Sequence, residues 1–199
     1  MKRPLLVLLI LAALSTGAYA QGVRLGIKAG ANMFKIDGQG YNQGYNLGYH
    51  IGGFLQLNLS DKFGIQPGVI FSEANTRTAS NFKDTYQEFD SAFNNHDIKL
   101  NYLSIPILAN INLFGSKRLK LQVGPQFSIL MNKSETLAQN GKDAFKSGDF
   151  SMIGGLWLDL PFGLDVSGRY IVGLSNMSDL TESNKWKNQA IQLGVGFAF

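Results

Sequence analysis

The chain has 199 residues, enough for one sizeable domain, yet only 16% of them are charged, against roughly 25% in an ordinary soluble domain. It has no cysteine, which excludes a disulfide framework, a thiolate metal site and a thiol nucleophile. Of 18 basic residues, Lys2 and Arg3 fall in a leader; the remaining 16 face 14 acidic ones, a balance that argues against a nucleic-acid partner.

The chain opens as a secretory signal peptide over residues 1–20. Met1-Lys2-Arg3 is basic, Leu5 to Leu14 is apolar, and Ala18-Tyr19-Ala20 fits the small-x-small cleavage pattern before Gln21. A retained anchor is the alternative, but the apolar run is short for a helical span. Residues 21–199 then form one barrel domain, and no later run approaches the length of a transmembrane helix.

From Val23 the pattern has period two, the signature of strands. Val23, Leu25, Ile27, Ala29, Ala31 and Met33 alternate with Arg24, Gly26, Lys28, Gly30 and Asn32. The stretch 34–47 is a loop. A second strand, 49–59, sets Tyr49, Ile51, Leu55 and Leu57 against His50, Gln56 and Asn58. After a turn at 60–62, the third strand, 63–71, opposes Phe63, Ile65, Val69 and Phe71 to Gln66, with Pro67 tolerated at a bulge.

A long polar loop spans 73–97. In the fourth strand, 98–113, the apolar set passes from Ile98, Leu100 and Tyr102 to Leu103, Ile105 and Ile107. That one-residue change of phase predicts a β-bulge near Tyr102–Leu103. The fifth strand, 119–129, places Lys120, Gln122 and Gln126 on its lean face. The sixth, 150–160, places Ser151, Trp157 and Asp159 there; the seventh, 164–172, Asp165, Ser167 and Arg169. The eighth, 189–199, alternates Ile191, Leu193, Val195, Phe197 and Phe199 with Ala190, Gln192, Gly194, Gly196 and Ala198.

Eight strands joined by alternating long and short connections predict an eight-stranded antiparallel up-and-down transmembrane β-barrel, with the short turns at one rim. Alternation alone does not say which face is outside. The lean face is rich in Gly, Gln, Ser and Asn rather than Lys and Glu, which suits a cramped interior better than a water-facing wall. The apolar set then faces outer-membrane lipid, its backbone satisfied by closure of the sheet. Aromatic residues predict two interfacial girdles: Phe63, Phe114, Phe162 and Phe199 by the short turns, and Phe34, Tyr49, Phe71, Tyr102, Phe150 and Tyr170 by the long loops.

Several stretches carry a family resemblance: Gly26-Ile27-Lys28-Ala29-Gly30-Ala31-Asn32, Leu100 to Ile107, Gly168-Arg169-Tyr170 with Gly173-Leu174, and the terminal Phe199. With the signal peptide they resemble the PorT-like outer-membrane β-barrel proteins common in Bacteroidetes, over nearly the whole mature chain. The resemblance implies insertion by the outer-membrane assembly machinery, which reads an aromatic carboxy-terminal strand, here Phe197 and Phe199. Some relatives serve in secretion or gliding assemblies, so other envelope proteins are the partners it suggests.

The lean faces supply the candidate site: a structural polar network in the lumen of Arg24, Lys28, His50, Gln56, Gln66, Lys120, Gln122, Gln126, Asp159, Asp165, Arg169 and Gln192. Charges in so confined a space need partners. Asp165 is the candidate for Arg24, and Asp159 for Arg169. Neither His50 nor His96 faces lipid beside an evident serine, so no catalytic residue, cofactor or metal ligand is expected and the chain reads as non-enzymatic. Asp84, Glu88, Asp90 and Asp97 lack the regular spacing of a calcium loop. The strand glycines have no helix after them to make a phosphate cradle. Two alternatives are a narrow channel or small-ligand carrier using the lumen, and a membrane-embedded enzyme acting on lipid. The long external loops, with Tyr41, Tyr45 and Trp186, have a composition suited to surface contacts.

Overall fold

The computed structural model describes residues 22–37, 44–77, 97–133, 148–175 and 187–199. The expected signal peptide lies outside these residues, as do Tyr41, Asp84, Glu88, Asp90, His96 and Trp186. The strands are β1 (Val23–Asp37), β2 (Asn46–Asn58), β3 (Phe63–Arg77), β4 (Asp97–Asn112), β5 (Leu119–Lys133), β6 (Gly148–Asp159), β7 (Leu164–Gly173) and β8 (Lys187–Ala198). Each pairs antiparallel with its neighbours in sequence, and β8 closes on β1. This is the expected eight-stranded up-and-down barrel.

Stepping across paired residues shows how the barrel is sheared. From Val23 the path runs through Leu57, Ile65, Ala109, Val123, Gly154, Tyr170 and Ile191 and re-enters β1 at Met33, ten residues on. With a rise of roughly 3.3 Å per residue and strands about 4.8 Å apart, that stagger tilts the strands by about 40°. Eight strands at this tilt leave an interior that side chains can fill.

The two faces separate as physical chemistry requires of a wall between lipid and a packed axis. Ile51 (55% exposed), Leu156 (50%) and Val195 (60%) point outward, whereas His50, Gln56 and Gln122 are each at most 1% exposed. Several strands run past the apolar band toward the long connections. There the backbone register sets Asp37 opposite Lys187 and Arg77 opposite Asp97. A search for alternating apolar residues stops short of these polar ends, which is why β1 and β3 extend beyond their predicted limits.

The change of phase in β4 does not exist. Leu100 and Tyr102 point into the barrel together with Ser104 and Leu108, all buried, and the ladder with β3 is unbroken. The irregularity lies in the β4–β5 ladder, where Asn101 faces Asn132 but Tyr102 faces Leu130. Met131 on β5 is therefore the extra residue, and the bulge sits on the partner strand. No register shift accompanies Pro67. Phe34 and Tyr102 are both 6% exposed, so two members of the expected upper girdle turn inward; Tyr49, Phe150 and Tyr170 remain outside.

Two of the short turns share one chemistry. Ser116 N–H donates to Leu113 O around Phe114-Gly115, and Leu164 N–H donates to Pro161 O around Phe162-Gly163. All four central residues have positive φ (54°, 70°, 64° and 80° in chain order). This is the primed turn that matches strand twist, with Phe at a position that usually takes Asn or Asp. Both rings are almost wholly exposed, 93% for Phe114 and 92% for Phe162.

Candidate functional site: the polar lumen and its two ends

At the short-turn end the strands open into a polar cup of about 290 Å³. Arg24, Gln56, Asn58 and Asn112 line it with two ion pairs. Lys120 Nζ donates to Asp159 Oδ2 at 2.5 Å, and Trp157 Nε1 donates to the other carboxylate oxygen at 2.7 Å. Lys117 Nζ donates to Asp61 Oδ1 at 2.7 Å on the rim, and this bond holds the exposed Asp61 carboxyl below its ordinary range.

Above the cup the axis is closed by a layer around Trp157. Its ring meets Phe54 edge-on, with centroids 5.2 Å apart at 84°, and Ala198 completes the cluster. Lys28 Nζ and Arg169 Cζ each lie 5.6 Å from the ring centroid, within cation–π range. Arg169 Nε also donates to Gln122 Oε1 at 2.9 Å. Gln122 Nε2 in turn donates to Gln66 Oε1 at 2.6 Å and Asn110 Oδ1 at 2.7 Å, and Asn110 Nδ2 closes the triangle to Gln66 at 3.1 Å. This amide ladder ties β3, β4, β5 and β7 together across the axis.

Next come His50 and Ser167. His50 Nδ1 lies 2.8 Å from Asn32 Oδ1, and Lys28 Nζ donates to Ser167 Oγ at 3.3 Å. Asp165 is 2% exposed and lies against Gly196, where an added Cβ would come within 2.5 Å of its carboxylate; only glycine leaves that space. Further along, Ser104 and Ser128 hydroxyls meet at 2.8 Å, and Gln126 Nε2 donates to Ser128 at 3.2 Å. Gln126 and Gln192 border a void of about 40 Å³, room for little more than a water or two.

Toward the long connections Asp149 is 3% exposed and accepts from Ser151 at 2.7 Å, from Ser175 at 2.5 Å and from Asn188 Nδ2. Sequence reasoning missed this residue because the apolar pattern of β6 begins one position later, at Phe150. Its phase with Ser151 was the available signal.

The structure thus brings ten of the twelve lumen residues to buried positions, with Arg24 and Asp159 half-buried at the cup. The two expected ion pairs do not form. Arg169 faces Gly155 across the β6–β7 ladder, four residues from Asp159, or about 13 Å along the strand. Lys120 faces Trp157, one diagonal step from Asp159, and takes that partner instead. Arg24 makes no ion pair with Asp165, whose register row holds Lys28. Phe197 and Phe199 lie outward with ring centroids 5.7 Å apart. Among the described residues no cluster of His, Cys, Asp or Glu has the makings of a metal site.

Solved structures share this architecture. Neisserial surface protein A aligns with a TM-score of 0.55 at 13% identity, covering 88% of this chain and 97% of that one. Ail, the attachment invasion locus protein of Yersinia pestis, solved with the heparin analogue sucrose octasulfate, aligns at 0.52 and 13% identity over 90% of this chain and all of that one. No curated protein matches the sequence. Residues 17–179 match the family described as outer membrane protein beta-barrel domain, and the chain belongs to that family of the bacterial outer membrane.

Proposed function

We propose that this outer-membrane barrel is non-enzymatic and PorT-like, and acts by contact, through its long external connections or as a member of an envelope or secretion assembly. The observation that carries the reading is the filled axis. Between the cup and the far end stand the buried Trp157, the amide ladder and the His50 layer, and the void beyond them, bordered by Gln126 and Gln192, is about 40 Å³. With the axis occupied, the surfaces available for interaction are the wall and the two rims, and loops on a rigid scaffold are where recognition concentrates. Lys35 and Tyr45 at the outer rim, with Nζ 5.2 Å from the ring centroid, have the cationic and aromatic character of such a surface.

The test is in two arms. Reconstituted protein in a planar bilayer is expected to conduct no ions; steady unitary conductance overturns the closed-lumen basis. Crosslinking in cells is expected to capture an envelope protein through residues of the long connections, and replacing those connections with short turns is expected to abolish capture while leaving the barrel inserted. Capture that survives their replacement rules out the external connections as the contact.

A further inference from the structure

In the outer-membrane setting the short turns face the periplasm, so the 290 Å³ cup is the mouth of the barrel on that side. It holds five ionisable side chains. Two of its three cations are committed: Lys117 to Asp61 at 2.7 Å and Lys120 to Asp159 at 2.5 Å. The third, Arg24, is half-buried and has neither a hydrogen bond nor an ion pair among the described residues. Two nearby amide donors are engaged as well, Asn112 Nδ2 donating to Asp61 O at 2.6 Å and Gln56 Nε2 to Asn58 Oδ1 at 3.1 Å, while Gln56 Oε1 has no partner among the described residues.

We propose that this cup binds a carboxylate, held by the Arg24 guanidinium at the periplasmic mouth. The cup's lining sets three cations against two carboxylates, and the buried Asp165 carboxylate behind it has Lys28 and Arg169 as well as Arg24 in its field, so the mouth keeps a positive surplus for an anion. The planar fork of a guanidinium matches a carboxylate through two parallel N–H···O bonds, a geometry neither lysine can offer. The carboxylate belongs either to a small organic acid or to the end of a periplasmic polypeptide.

The full chain in lipid nanodiscs, with nitrogen-15 arginine side chains, separates these outcomes. N-acetylglycine is expected to shift the Arg24 Nε–Hε signal to saturation while those of Arg118 and Arg169 stay in place, and N-acetylglycinamide is expected to do nothing. Arg24→Gln is expected to weaken N-acetylglycine binding roughly tenfold or more, and Arg24→Lys is expected to restore it only in part. Should Arg24→Gln fail to fold, the titration of the unaltered protein decides. Trialanine with a free carboxyl end binding more tightly than N-acetylglycine assigns the site to polypeptide ends, and equal affinity assigns it to small acids. An unsaturable shift, an equal response to the amide, or a stronger response to inorganic phosphate or chloride overturns the proposal.

Discussion

The two ends of the lumen hold their carboxylates in different ways. Near the short turns, Asp159 meets a cation, Lys120, at 2.5 Å. Near the long connections, Asp149 has no cation against it among the described residues and is surrounded instead by two serine hydroxyls and an asparagine amide. A counter-charge gives a strong bond but leaves a desolvated ion behind when one partner is lost. A ring of dipoles shares the same task among groups that stay neutral when one is removed. Between the two ends lies Trp157, whose ring accepts two cations without a formal charge.

The largest expected effect falls on that dividing layer. Trp157→Ala removes a side chain that is 1% exposed, the edge contact with Phe54 and the ring shared by Lys28 and Arg169. A loss of about 4 kcal/mol is expected from the lost burial and the cavity together. Urea unfolding in phospholipid vesicles, followed by the gel mobility of the folded barrel, measures it. A loss below about 1 kcal/mol would mean that the two ends do not depend on the layer between them.

Exchanging each carboxylate for an amide sharpens the contrast. Asp159→Asn strands Lys120, whose side chain is 5% exposed, and the partly open Asp159 side tempers the penalty to about 2–3 kcal/mol. Asp149→Asn keeps the shape, and the serine hydroxyls can rotate to suit an amide, so about 1 kcal/mol is expected. The same urea titration ranks the two. Equal losses would mean that counter-charge and dipoles hold a lumen carboxylate equally well here.

The difference between the ends also explains what the sequence discloses. Alternation identifies a strand's two faces, and eight repeats with alternating long and short connections give the barrel. It does not say that Leu100, Tyr102, Phe54 and Ile153 belong to the inner face, because apolar residues serve lipid contact and axial packing equally well. Partners are hidden for a further reason. Which residues meet across the axis depends on the ten-residue stagger, and a slip of one position turns every side chain to the other face. Arg169 and Asp159 look complementary on adjacent strands, yet the register separates them by four residues. The bulge shows the same limit: an apparent break in β4 corresponds to an extra residue, Met131, on β5.

The fixed geometry of the short-turn end rests on its turns, and two of them differ in a way that can be measured. Gly115 and Gly163 both have positive φ, 70° and 80°. A Cβ at Gly115 would meet nothing within 4 Å, whereas one at Gly163 would come within 2.5 Å of Ala198 O. Gly115→Ala therefore carries only the dihedral penalty, about 1 kcal/mol. Gly163→Ala adds a collision with the backbone of β8 beside the β1–β8 seam, and about 2 kcal/mol is expected. Because Ala198 packs with Phe54 and Trp157, displacement of β8 there should also speed hydrogen exchange at Phe199, whose amide donates to Leu25 O at 2.9 Å. Equal stability losses with unchanged exchange would place the rigidity of this end in its ion pair and aromatic layer rather than in the turn.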